Sequence, residues 1–214
     1  MAGFLVPLCL LFVLGLGCSK TKGAPVALPD LPQAVVAEAR VPAAPAAAAK
    51  QFEIDPAASS IVFAGTNVTG ENIGRFSAFS GSIAAPGTDP AQGSATVTID
   101  LNSVQTGADG LTKHLKSPDF FDVEKHPTAT FVTTAITPGG ERGASHTVQG
   151  NLELRGTKKS LSFPATLSLS DQQATLKAKF LFDRQPFGVK HRGAPDNLIR
   201  DLVRVELDLV AKPK

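Results

Sequence analysis

The chain of 214 residues contains no tryptophan, no tyrosine, one methionine and two cysteines. Each scarcity narrows what it can be. Cys9 lies inside an apolar N-terminal run, so Cys18 is the only thiol expected to survive processing, and an exported domain can form no internal disulfide. A single thiol cannot build a thiolate zinc cluster. Without Tyr or Trp no aromatic ring carries a polar handle, and ring contacts fall to 13 phenylalanines. The chain has no H-x-x-x-H or C-x-x-C spacing, no G-x-S-x-G elbow, no P-loop and no Rossmann glycine pattern. From Gln51 onward Lys plus Arg equals Asp plus Glu, so the net charge of +2 comes from the residues before it. A neutral domain without basic clustering argues against a nucleic-acid partner.

What is present begins with "FLVPLCLLFVLGLGC", in a stretch of residues 1–17 that carries no charged side chain. It is short for a membrane span and lies at the N-terminus, so residues 1–17 read as a signal peptide. The ending Leu-Gly-Leu-Gly-Cys resembles a bacterial lipobox, which predicts a lipidated Cys18. An ordinary cleaved signal and an uncleaved anchor are the alternatives. Residues 18–50 are rich in Ala and Pro without a steady period and read as a tether, leaving 51–214 as the folded domain. The expected location is the bacterial cell envelope, with the protein membrane-anchored and facing the periplasm.

Within the domain the hydrophobic period is two. Val203, Val205, Leu207 and Leu209 alternate with Arg204, Glu206 and Asp208, and Leu176, Ala178, Phe180 and Phe182 alternate with Lys177 and Lys179. Such alternation gives one wet and one dry face, hence antiparallel sheet. The pattern predicts an all-β domain of eight strands over 59–69, 73–85, 94–101, 128–136, 147–156, 160–170, 173–183 and 201–210. Pro164 marks an edge, a bulge or a place where the ladder opens. Eight strands can close into a barrel or split into a sandwich, and alternation does not separate these. The dry phase carries Phe63, Phe131, Phe163, Phe180 and Phe182, with Ala95, Ala165, Ala174 and Ala178 between them. These residues make either a packed core or the wall of an apolar cavity.

The stretch "GLTKHLKSPDFFDVEKHP", residues 110–127, holds the densest chemistry. Thr106 followed by Asp109 fits a capping box opening one short helix over 107–116. Leu111 and Leu115 share its inner face, and Lys113 and His114 face water. Ser117-Pro118-Asp119 stops the helix, and Phe120 and Phe121 re-enter the interior or plug one end. Pro127 forces His126 into an extended conformation ahead of the next strand. The spacing of His114, His126 and the intervening acids matches no metal motif, so no metal site is expected. Asp183-Arg184 reads as an ion pair pinning the loop that follows.

"HLKSPDFFDVEKHPTATF" resembles the signature of the YceI-like family of exported bacterial proteins. "SSIVFAGTNV", "GRFSAFSGSI", "VTIDLNSVQTG", "VQGNLELRGTKKSLSFP", "FDRQPFGV" and "IRDLVRVELDLVA" stand in the family's order, over about residues 52 to 211. The resemblance implies a lipocalin-like antiparallel barrel that binds a long isoprenoid lipid or quinone tail and needs no catalytic residue. The expected ligand wall is Phe63, Phe131, Phe163, Leu176, Ala178, Phe180 and Phe182. The expected partners are an apolar lipid and, through Cys18, a membrane; a homodimer is allowed. Two rival readings stand beside this one. A hydrolase would use His114 or His191 with nearby acids at a concave mouth, and an interaction or stress protein would have a filled barrel.

Overall fold

The computed structural model describes residues 27–42 and 49–214. The expected signal peptide and Cys18 lie outside the described residues. In chain order the strands are β1 (Val35–Glu38), β2 (Lys50–Ile54), β3 (Ser60–Thr66), β4 (Glu71–Phe76), β5 (Phe79–Ala85), β6 (Ser94–Asp100) and β7 (Val104–Thr106). After the helix α1 (Asp109–Lys116) come β8 (Thr128–Pro138), β9 (His146–Leu154), β10 (Thr157–Leu169), β11 (Ala174–Asp183), the short pair β12 (Gly193–Ala194) and β13 (Asn197–Leu198), and β14 (Leu202–Pro213).

The ladders close. Following antiparallel pairs from β2 leads through β5, β6, β8, β9, β10, β11 and β14 and back to β2, an eight-stranded barrel. Closure removes the sandwich alternative and the exposed edges that go with it. The far edge of β14 is shared: Val203–Asp208 pairs with β3, and Ala211–Pro213 pairs with β2. The strand expected at 59–69 is therefore one half of a bent strand, β2 plus β3, and the one expected at 73–85 spans both halves of another, β4 plus β5. The bend between β2 and β3 is a single 3-10 turn at Pro56–Ala58, where the Asp55 carboxylate accepts from the Ala57 N–H at 3.0 Å. Asp89 and Pro90 repeat this device before β6. Proline supplies the fixed φ of a first turn and the preceding Asp takes up a free N–H.

Pro164 sits where a ladder opens. β10 and β11 pair only from Thr166↔Lys177 to Leu169↔Ala174. Continued, that register would join Ser162 to Leu181. Instead Ser162 pairs with Val35 of β1, and Leu181 bridges to Gln33. Ala34 N–H donates to Leu181 O at 2.7 Å, and Leu181 N–H donates to Pro32 O at 2.8 Å. The N-terminal segment thus fills the slit between two splayed wall strands, with Ala34 buried. Further along, the Asn151 side chain accepts from the Arg40 N–H at 2.9 Å and donates to its carbonyl at 2.5 Å. This corrects the reading of 18–50 as tether throughout: its middle is part of the barrel wall.

The helix starts two residues later than expected, and Thr106 is not its cap. Ala108 holds that position without a side-chain bond. The Thr106 hydroxyl lies 2.8 Å from that of Thr112 and donates to Ala108 O at 2.8 Å, so it fastens β7 to the helix flank. Leu115 is buried and Leu111 packs against the core as expected. His114 is only half turned to water, because Asp119 folds back onto it.

Candidate functional site

The barrel is hollow. An apolar cavity of about 300 Å³ runs inside it, at the lower end of the range for ligand pockets, about 300–1,000 Å³. Phe63, Phe131, Val205 and Leu207 face the lumen yet are only half-buried, which a close-packed interior would not leave.

Its walls follow from the two-residue period, and two glycines decide how the rings lie. Phe63 stands opposite Gly74 on the next strand, and a methyl group at Gly74 would lie 2.3 Å from the ring tip. A methyl group at Gly150 would lie 2.3 Å from the Phe131 ring. Both rings therefore lie flat over a glycine, against the wall, rather than across the lumen. Phe63, Phe76 and Phe121 meet at centroid distances of 5.4 to 6.0 Å, and Phe163 bridges Phe131 and Phe180 at 5.8 and 4.5 Å. Edge and offset contacts of this kind hold the rings in place.

One end of the cavity is shut. Leu101, Leu115, Phe120 and Val189, all buried, cover it, with Phe121 beside them. They come from the turn after β6, α1, the turn after it and the loop between β11 and β14. The other end is edged by Pro90, Gly93, Ser94 and Thr175, which are half-buried. Two of the lining polar side chains are already engaged. Thr133 Oγ1 accepts from the Ala95 N–H at 2.8 Å. The buried Arg184 side chain donates to the carbonyls of Val189 at 2.6 Å and Arg200 at 3.1 Å, and lies 3.4 Å from Asp201. Burial pushes the Arg184 guanidinium below its usual pKa, against the pull of Asp201 and Asp183. Arg184 does pin the loop, but its ion pair is with Asp201; Asp183 accepts from the Gln185 N–H instead.

Of the expected ligand wall, the structure brings Phe63, Phe131, Phe163, Leu176, Phe180 and Phe182 to the cavity. Ala178 is the exception. It lies on the same phase of β11, but its short side chain packs against the core between Leu176 and Phe180 without reaching the lumen. Sequence reading missed Leu152, Val203, Val205 and Ile199 as wall residues. The first three lie in predicted strands on the dry phase and were legible as such; Ile199 lies in a loop with no periodic signal.

Behind the shut end lies a second cluster. His114 Nε2 is 2.9 Å from Asp119 Oδ2, and His191 Nδ1 is 3.7 Å from the same oxygen. The His114 hydrogen bond, ahead of the charges of His191, His114 and Arg155, holds the Asp119 carboxyl below the usual range despite some burial. Phe120 separates the cluster from the lumen: its ring centroid lies 5.0 Å from that of His114 and 5.1 Å from that of His191.

Comparison with known proteins agrees with this architecture. A UPF0312 protein of Pseudomonas aeruginosa is 40% identical over 94 residues, which cover 44% of this chain and 48% of that protein. The chain thus spans about half the length of that relative. A UPF0312 protein of Pseudomonas putida is 30% identical over 139 residues, covering 62% of this chain and 71% of the relative. Among solved structures, BcnA of Burkholderia cenocepacia superposes with a TM-score of 0.65 at 28% identity, over 74% of this chain and 99% of its own. A polyisoprenoid binding domain from Saccharophagus degradans, implicated in plant cell wall breakdown, has the same fold, with a TM-score of 0.61 at 21% identity over 76% and 98%. Residues 52–211 match the YceI-like domain, and the chain belongs to that family.

Proposed function

We propose that the protein is a non-catalytic binding or carrier module that holds a long apolar chain, of isoprenoid or similar type, inside its barrel. The observation that carries this reading is the cavity: about 300 Å³, almost wholly apolar, with Thr133 and Arg184 of its lining already bonded elsewhere. Burial alone supplies the affinity. About ten methylene-sized groups at about 0.8 kcal/mol each give roughly 8 kcal/mol, against an association cost of roughly 4 kcal/mol or more. An almost wholly apolar lumen selects for length and apolarity rather than for a headgroup. The Saccharophagus domain is described as polyisoprenoid binding; at its identity it supports the barrel, and the ligand class here rests on the chemistry of the wall. A hydrolase reading gains a carboxylate between two histidines, but the Phe120 ring stands between them and anything in the lumen.

The deciding experiment is mass spectrometry of organic extracts from protein purified from its native membrane. One long-chain apolar lipid per protein is the expected result. Extracts repeatedly free of lipid, from protein that also fails to take up a fluorescent polyprenyl probe, would refute the reading. We further propose that Cys18 carries a lipid anchor and that the domain works in the cell envelope. Cys18→Ala should move the protein from the membrane to the soluble fraction; a variant that stays in the membrane overturns the anchor.

A further inference from the structure

We propose that His114, Asp119 and His191 form a binding site for one zinc-type divalent cation at the shut end of the barrel. No sequence spacing announces it, because His191 arrives from a distant loop. The donor atoms of the three side chains all lie within 4.8 Å of one another. Around zinc with bonds of roughly 2.0–2.2 Å, tetrahedral ligand atoms stand roughly 3.3 Å apart. The two separations to Asp119, 2.9 Å and 3.7 Å, bracket that value, and side-chain rotation must bring the two imidazole donors, now within 4.8 Å, to it as well. Two imidazoles and a carboxylate suit zinc-type ions better than calcium or magnesium, which take mainly oxygen ligands. Binding replaces the Nε2–H that His114 now gives to Asp119 with a lone pair, so the ring must then carry its proton on Nδ1.

The frame for the site is already built. Arg155 donates to the carbonyls of Phe120 at 2.9 Å and Gly188 at 3.2 Å, tying the segment that carries Asp119 to the loop that carries His191. Arg184 pins the same loop from inside through Val189. Asp119 and His114 side chains are 55% and 41% exposed and His191 is 29% exposed, which leaves a fourth position for water. Arg155, Lys190 and Arg192 oppose a dication, and the three donors must outweigh them. The Phe120 ring touches both imidazoles on one side and the cavity on the other. A bound ion would therefore brace the plug that shuts the lumen.

The test uses the full chain in mild detergent, without a histidine tag, and with Cys9→Ser and Cys18→Ser so that no thiol competes. Zinc is titrated against a colorimetric chelator, and cobalt is added as a spectroscopic probe. One zinc per chain and the visible d–d absorption of a tetrahedral cobalt site are expected. His114→Ala, His191→Ala and the isosteric Asp119→Asn should each weaken zinc by more than about tenfold, while His146→Ala should not. Zinc should raise the melting temperature of the parent and not of these three variants. Melting without metal checks that each variant folds. Zinc affinity unchanged by His114→Ala and His191→Ala, or a cobalt complex without tetrahedral absorption, overturns the proposal and leaves the cluster as a surface ion pair.

Discussion

Phe163 and Phe180 stack with centroids 4.5 Å apart and planes 14° from parallel, in the very stretch where the backbone ladder between their strands has ended. The rings hold together two strands that the N-terminal segment has wedged apart. Phe180 is almost fully buried. Phe180→Ala should therefore cost about 3–5 kcal/mol, read as a lower midpoint in denaturant melts with an unchanged slope.

Gly74 keeps the lumen open by giving the Phe63 ring a place against the wall. In a filled core, Gly74→Ala would overpack and cost typically about 1–3 kcal/mol. In this barrel the ring has room to swing inward, so a loss under about 1 kcal/mol is expected, below the overpacking range. Binding of a polyprenyl probe should fall with it. Ala178→Phe, at a position outside the lining, should affect binding less. Melting and probe uptake measured on the two variants together check both statements.

The wedge itself can be loosened at one residue. Asn151 exchanges two hydrogen bonds with the backbone of Arg40. Asn151→Ala leaves a donor and an acceptor without partners and should cost about 1–3 kcal/mol. Hydrogen exchange should rise in Gln33–Glu38 and in the β10 and β11 edges that face it, but not in β6 or β8. Uniformly raised exchange would mean that the segment is not a separable element.

Acid should act late and weakly. The Arg142 hydrogen bond lowers the Asp30 pKa, and the Lys212 hydrogen bond lowers that of Asp55. For a depressed carboxylate the stabilisation is present above the unfolded value, about 3.9, and is lost as pH falls through the folded one. The melting temperature should hold down to about pH 4 and decline only below it. Asp30 is exposed and Asp55 is half-buried, so the Asp30 part of the decline should shrink further at high salt. Melts from pH 7 to pH 2 at two salt concentrations test this.

Much of this was readable beforehand, for a physical reason. A strand wet on one face must alternate, and Val203 to Leu209 or Leu176 to Phe182 can do nothing else. The short strands escaped notice because pairing, not periodicity, makes them. Val35–Glu38 is a strand only because β10 and β11 part to admit it, and Lys50–Ile54 is too short to set a period of its own. Thr106 and Asp109 match a capping pattern, yet Thr112 offers the hydroxyl a better partner, and a pattern cannot weigh that competition. The meeting of His114, Asp119 and His191 depends on Arg155 drawing two loops together, and no local spacing encodes it. The glycines at 74 and 150 were legible as small residues; that each seats a ring across the ladder was not.

The wedge also sets an order of events in time. Ribosomes deliver Val35–Glu38 first, yet its partners on β10 and β11 come more than a hundred residues later. β14, which seals β2, β3 and β11 together, is the last of the barrel strands to be delivered. Contacts of such long sequence separation form slowly. Until β14 arrives the lumen has no complete wall, so a chain interrupted before it has nothing to hold, and any cargo must be taken up after β14 has been made.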